Sequence, residues 1–360
     1  MKNILFLLLF VFLQPNCFAQ KRQTENLIIV VLDGMRWQEI FSGADSVLLN
    51  NPAYTRDRGR VQRKFWDADP NVRRKKLLPF IWSEIGEKGQ LYGNRHLGNK
   101  VDVTNPFKLT YPGFSEMLTG YADPAISSNR LVVSKSDNVL EFITANKEFA
   151  GKVSVFATSD LFPFLLDREN SKLYINSDTD TLAFNSKEFQ LLNEMQRFSY
   201  KPTTERPDLL TFFAASQYLK AYQPRVLYLA LGETDAFAHA GQYDHYLETA
   251  HAEDVMIADL WKTIQTLPQY KNKTTLVLTC DHGRGDKNKD QWVGHGPQIE
   301  DSGEIWIGAI GPDTRPLGEV KTEDQLCQRQ LAPTLAALLG LDFRPKTHQV
   351  IGPIKSILQK

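Results

Sequence analysis

The stretch Thr274-Thr275-Leu276-Val277-Leu278-Thr279-Cys280-Asp281-His282-Gly283 decides the fold class. Its first seven residues are aliphatic, β-branched or a thiol, with no polar alternation. A run like that has no solvent face, so it reads as a strand buried on both sides. It ends in an acid, an imidazole and a glycine, which suit a turn leaving a strand rather than a core. The same pattern recurs along the chain. Leu27–Leu32 precedes Asp33-Gly34, and Lys152–Ala157 precedes Thr158-Ser159-Asp160. Val226–Leu231 runs into Gly232-Glu233-Thr234-Asp235, and Glu304–Ile310 into Gly311-Pro312. Strands of this kind imply an α/β fold, with a central, mostly parallel sheet sandwiched by helices. In such sheets ligands gather beyond the carboxyl ends of the strands.

Helices fill the intervals. Residues 243–264 set Tyr243, Leu247, Ala250, Ile257, Trp261 and Ile264 at a helical period, and Gln328 to Leu339 reads as a second amphipathic helix. Two segments, 37–74 and 162–207, read as insertions outside the sheet framework. The first is rich in Arg and Lys between Arg56 and Lys76 but has no aromatic interleaving. It is therefore expected to be solvated surface that can steer an anionic substrate, not a nucleic-acid site.

The ends of the chain and its composition set further expectations. Lys2, the apolar run Ile4 to Leu13 and the small Ala19 form a secretory signal peptide over residues 1–19, too short for a stable membrane span. A single secreted or periplasmic domain over 20–360 is expected, with no membrane span. Lys+Arg and Asp+Glu balance at 42 each, so net charge points to no partner. Cys280 and Cys327 remain after cleavage; their spacing does not fix whether they pair, and Cys280 reads as a buried thiol.

The candidate chemistry lies at the strand ends. Asp235 and His239 are four apart, so a helical turn after the strand puts both on one face, able to grip one ion. Asp281 and His282 are adjacent at a strand end, where Gly283 permits a sharp turn. Asp33 and His295 complete a set of three carboxylates and three imidazoles. Mixed ligation of this kind suits two divalent ions, zinc first and manganese second. Such ions about 4 Å apart can clamp the oxygens of a phosphoryl group. Thr110 opens a short helical segment, Phe114 to Leu118, closed by Gly120. A hydroxyl there is either a helix cap or a nucleophile where the helix dipole favours an alkoxide. Ser115 is the rival hydroxyl but lies inside the helix. Asp254 interrupts the apolar stripe of 243–264. A buried carboxylate needs a partner, and Asp254 is expected to orient a metal-binding loop.

In order, Leu32-Asp33-Gly34, Leu109-Thr110-Tyr111-Pro112, Asp235-Ala236-Phe237-Ala238-His239, Asp281-His282-Gly283 and Gly294-His295-Gly296 resemble the alkaline phosphatase superfamily. The resemblance is nearest to its nucleotide pyrophosphatase/phosphodiesterase-like and phosphoglycerate-mutase-like branches. Leu77-Leu78-Pro79-Phe80 is similar to the family's first helix, and Leu331-Ala332-Pro333-Thr334-Leu335 with Leu338-Leu339-Gly340 to its last. The resemblance implies that Asp235, His239 and His295 hold one metal and that Asp33, Asp281 and His282 hold the other. Thr110 then bridges to the second metal as nucleophile and forms a phosphothreonine intermediate. Asn129 stands near the position of a phosphate-contacting Asn, and Arg130 follows it. The segment Thr110-Tyr111-Pro112-Gly113-Phe114 has neither the convertible Cys or Ser nor the Arg that a sulfatase requires. The expected function is hydrolysis of a small phosphorylated ester. The alternatives are a phosphodiesterase or nucleotide pyrophosphatase, a non-catalytic metal-binding relative, and a phosphoryl-group transferase.

Overall fold

The computed structural model describes residues 22–201 and 205–359; the signal peptide expected over 1–19 lies outside them. The described residues form eleven strands: β1 (Asn26–Leu32), β2 (Gln90–Tyr92), β3 (Lys100–Asp102), β4 (Val153–Ala157), β5 (Tyr174–Ser177), β6 (Val226–Leu231), β7 (Thr274–Thr279), β8 (Glu304–Ile305), β9 (Ile307–Ile310), β10 (Gly318–Glu319) and β11 (Gln325–Cys327). Eight of them build one sheet in the order β10-β2-β9-β7-β1-β6-β4-β5, and β11-β3-β8 form a small second sheet. From β7 through β5 every pairing is parallel, while β9 runs antiparallel to both β7 and β2. The fold is therefore the α/β sandwich that the sequence predicts.

The four strands β1, β4, β6 and β7 appear where the apolar runs place them, and all their residues are buried. These central strands, covered on both faces, carry no charged residue along their length. The charged residues are displaced to the end of each strand, and that is how this fold concentrates a site.

Two expectations need correction. The run Glu304–Ile310 is not one strand. It breaks at Trp306, so that β8 pairs with β3 and β9 with the main sheet. The fully buried Trp306 donates its indole N–H to the Met35 carbonyl at 3.0 Å. Opposite the break, Gly93 has φ +106, and a Cβ there would meet the Ile305 carbonyl oxygen at 2.7 Å. The strand changes sheets where two backbones come too close for a side chain. The segment 162–207 also joins the framework. Its residues Tyr174–Ser177 pair in parallel with β4 as the edge strand β5. By contrast, 37–74 adds only short helices, three of them capped by the side chains of Asp45, Asp57 and Asp69.

The long helix spans Tyr243–Thr266, and the last helix, Leu331–Leu338, follows a 3₁₀ turn over Gln328–Gln330. Cys280 and Cys327 are unpaired. Among the described residues no helix is long and apolar enough to cross a membrane.

Candidate functional site

Asp33, Asp235 and Asp281 follow β1, β6 and β7, three neighbouring strands, so the sheet alone brings the carboxylates together. Each is then held by local chemistry. Gly34 takes φ +61; a Cβ there would come within 2.6 Å of Asp235 Oδ1 and 2.9 Å of Arg284 Nη1, so only glycine fits. Its N–H donates to Asp281 Oδ1 at 3.1 Å. The Thr234 hydroxyl donates to the Asp33 carbonyl at 2.7 Å. Asp235 and His239 lie on the helix Glu233–His239, as their spacing predicts. The buried carboxylate of Asp208 accepts the Gly232 and Glu233 N–H groups, both at 2.8 Å, and so anchors that helix. Asp208 gives no sign of this role in the sequence, because its partners lie more than twenty residues away.

Thr110 is the first residue of a helix over Thr110–Thr119, longer than the predicted Phe114–Leu118 and closed by Gly120 at φ 71. The cap position belongs to Leu109, so the Thr110 hydroxyl does no capping. It lies 3.3 Å from His282 Nε2. The approach to Thr110 is tightly fixed. The fully buried Glu116 accepts N–H and side-chain bonds from both Thr104 and Asn105. Asn105 in turn accepts the N–H groups of Phe107 and Lys108. Gly113 lets the helix touch the strand end, since a Cβ there would lie 2.5 Å from the Asp281 carbonyl oxygen.

The imidazoles reveal the chemistry. His282 Nδ1 lies 3.0 Å from the Gly283 carbonyl, an acceptor, so this nitrogen carries the proton. Nε2 then presents a lone pair toward Asp33 Oδ1 and Asp281 Oδ2, each 3.4 Å away. Neither of those buried oxygens has a hydrogen-bond partner. His295 repeats the arrangement: Nδ1 donates to the Lys108 carbonyl at 3.0 Å, which leaves its Nε2 2.9 Å from His239 Nε2 and 3.8 Å from Asp235 Oδ1. His239 Nε2 is 3.2 Å from Asp235 Oδ2. The His282 lone pair meets two buried carboxylate oxygens that accept no hydrogen bond, a donor set that a cation would satisfy. Two groups have ligand atoms within 4.8 Å of one another: Asp33 with Asp281 and His282, and Asp235 with His282 and His295. The residues present therefore fit two divalent ions.

Burial shapes the charges. It pushes His282 well below the ordinary imidazole range and His295 down to about 4, so both are neutral, as ligands must be. Burial, then Asp281 and Asp235, raise Asp33 well above the usual carboxylate range. Burial and Asp235 push Asp281 up to about 7. At Asp235 burial opposes ionisation, but the adjacent Arg284 guanidinium and the histidines outweigh it and hold the carboxyl well below its ordinary value. Arg284 follows Asp281-His282-Gly283 directly, and no pattern in the sequence marks it as part of the site.

A cavity of about 490 Å³ opens over Asp33, Thr110, Asp235 and His239. Asn129 lines it, with Oδ1 accepting the Tyr111 N–H at 2.9 Å. Arg130 is exposed and does not line it. Ser115 is buried inside its helix and stays out of the cavity.

The Asp254 carboxylate, expected to orient a metal-binding loop, is engaged elsewhere than at the candidate ligands. Its two oxygens accept the Phe80 and Ile81 N–H groups at 2.8 and 2.9 Å, closing a helix start on another part of the chain. His251 bonds the Leu77 carbonyl instead of Asp254. Asp254→Ala should cost about 2 kcal/mol of stability and leave metal content unchanged. Thermal unfolding paired with elemental analysis checks both, and a variant that loses metal would restore the discarded role.

No protein-family model matches the chain, and no curated protein sequence does. Solved structures do match. Alkaline phosphatase PafA superposes with a TM-score of 0.60 at 11% identity, covering 94% of this chain and 99% of that one. The phosphonate monoester hydrolase SpPMH from Silicibacter pomeroyi gives 0.56 at 13%, over 93% and 76% of the two chains. BT1596, a 2-O GAG sulfatase, gives 0.54 at 12%, over 94% and 75%. The architecture is alkaline-phosphatase-like, and proteins sharing it act on different esters.

Proposed function

We propose that this chain is a metal-dependent phosphoric ester hydrolase of the alkaline phosphatase superfamily, that Thr110 is its nucleophile, and that it prefers diesters to monoesters. One observation carries the reading: the Thr110 hydroxyl shares the His282 Nε2 lone pair with two unpartnered carboxylate oxygens, those of Asp33 and Asp281.

Asp33, Asp281 and His282 would hold one ion, and Asp235, His239 and His295 the other, zinc being the best match to this donor set. Bound there, the ions would supply Lewis acidity and lower the pKa of the hydroxyl. The chain's own residues do the rest. Asn105 and Glu116 hold the loop before Thr110, so that Oγ is positioned before substrate arrives. The helix N-terminus adds its positive dipole end to an alkoxide at that position. Attack forms the Thr110 Oγ–P bond as one ester O–P bond breaks, the hydroxyl proton leaving with the departing alcohol; water then cleaves the Oγ–P bond, restoring the Thr110 hydroxyl and releasing a phosphate monoester from a diester substrate. Asn129, with its oxygen already occupied by the Tyr111 N–H, has its amide N–H groups free for a phosphate oxygen.

The lining supports the diester preference. Among the described residues it contains no Lys or Arg, while Asp160 adds a carboxylate beyond the ligand set. A dianionic monoester would meet no side-chain cation along that wall, and a diester carries one charge fewer. Leu131, Leu161 and Phe237 offer the second ester group an apolar wall. The test compares kcat/KM for bis-p-nitrophenyl phosphate and p-nitrophenyl phosphate on zinc-loaded protein. The diester should be favoured by about tenfold or more, and a faster monoester would reverse the assignment.

A further inference from the structure

Arg284 is buried, and every part of its guanidinium is used. Nε donates to the Trp292 carbonyl at 2.8 Å and Nη2 to the Val293 carbonyl at 2.5 Å, while Nη1 forms an ion pair with Asp235 Oδ1. Gly34 closes over Nη1, so closely that even a methyl group there would be 2.9 Å away. The guanidinium therefore has no room to swing aside. The oxygen it holds, Asp235 Oδ1, is also the one that faces His295 Nε2 at 3.8 Å and His282 Nε2 at 3.9 Å. An ion seated among Asp235, His239 and His295 thus shares its carboxylate with a fixed positive charge. The other position differs on each count. Asp33 Oδ1 and Asp281 Oδ2 are unpartnered, and Asp33, Asp281 and His282 are all buried, whereas the His239 side chain is 48% exposed.

We propose that Arg284 makes the two cation positions unequal: the ion held by Asp33, Asp281 and His282 is permanent, and the ion held by Asp235, His239 and His295 is weakly bound and exchangeable. The inference rests on the two-cation reading above. A fixed, fully buried positive charge sharing a ligand oxygen repels the incoming ion. Because the same guanidinium ties Asp235 to the backbone leading into His295, it also keeps the weaker position assembled while that position is empty. Arg284 is thus a positioning residue with an electrostatic cost. It sets a threshold of free metal below which the protein holds one ion rather than two.

The test is calorimetric titration of the full chain, stripped by a chelator, with Zn²⁺, for wild type, Arg284→Met and Arg284→Lys. Wild type should show two affinities separated by at least about tenfold, and Arg284→Met should narrow the gap by about tenfold or more. Arg284→Lys keeps the charge but loses the fork, and should preserve the gap. Two equal sites in wild type would overturn the inference without using a variant. So would a gap that Arg284→Met leaves unchanged, or a second ion that binds more weakly in that variant. A wild-type chain that takes up no zinc at all would refute the two-cation reading itself, a different failure.

Discussion

Thr110→Ala should leave a protein that folds and binds its ions yet cleaves phosphate esters about 10⁴-fold more slowly or worse. The substitution removes one oxygen from a helix whose other contacts stay in place. Leu109 is the cap residue, and Glu116 and Asn105 hold the preceding loop without the Thr110 hydroxyl. Stability should therefore change little, and a large rate loss would belong to chemistry. Acid-quenched wild type, treated with substrate and digested, should carry a phosphoryl group on the peptide containing Thr110, and the variant should carry none. If the variant keeps a tenth of the wild-type rate, Thr110 is not the nucleophile and water attacks directly.

Chelation should destabilise the protein more at pH 8 than at pH 5.5. The sign follows from the carboxyls with raised pKa. Asp281, pushed up to about 7 by burial and Asp235, sits above its unfolded value, and so does Asp33. Such groups contribute stability that is complete below the unfolded pKa and is lost as pH rises through the folded one. A shift from 3.8 to about 7 corresponds to about 4 kcal/mol. The metal-free protein therefore weakens between pH 4 and 7, where a bound cation would neutralise the same charges. Burial also pushes Asp254 and Glu205 up to about 7, but neither belongs to the ligand set, so each affects the two forms alike. Asp235, held low, has the opposite sign and changes only below this window. Melting curves with zinc and with chelator at each pH give the comparison. An ion present at a thousandfold over its Kd adds about 4 kcal/mol, several degrees in Tm. Equal differences at the two pH values would show that Asp33 and Asp281 are not the groups a metal relieves.

Much of the architecture could be read from the chain because a parallel strand buried on both faces writes itself as an uninterrupted apolar run. Its end is equally legible, since Asp33, Asp235 and Asp281 could not sit inside it. The spacing of Asp235 and His239 gave their shared helix face for the same kind of reason. What stayed hidden was decided at long range. Nothing local marks Tyr174–Ser177 as a strand, because an edge strand needs only one neighbour and tolerates polar residues. Trp306 looks like part of a continuous run until its indole finds the Met35 carbonyl. Asp254 was recognisable as a buried carboxylate in want of a partner, yet the partner, a helix start at Phe80 and Ile81, lies more than 170 residues away. Arg284 stands next to Asp281-His282-Gly283 in sequence, but its meaning depends on Asp235 across the sheet.

The division of labour among the strands has an evolutionary consequence. Four of the six proposed ligands, Asp33, Asp235, Asp281 and His282, follow β1, β6 and β7 at the middle of the sheet, where change disturbs the core. Part of the cavity wall is contributed by loops: by Asn129 and Leu131 after the Thr110 helix, by Asp160 and Leu161 after β4, and by Glu205 just before the helix Asp208–Tyr222. Those loops can drift with little penalty to folding. A duplicated gene could thus acquire a new substrate by altering a few loop codons while its reactive centre is inherited intact. The same partition tells a protein engineer where to randomise and where to leave the chain alone.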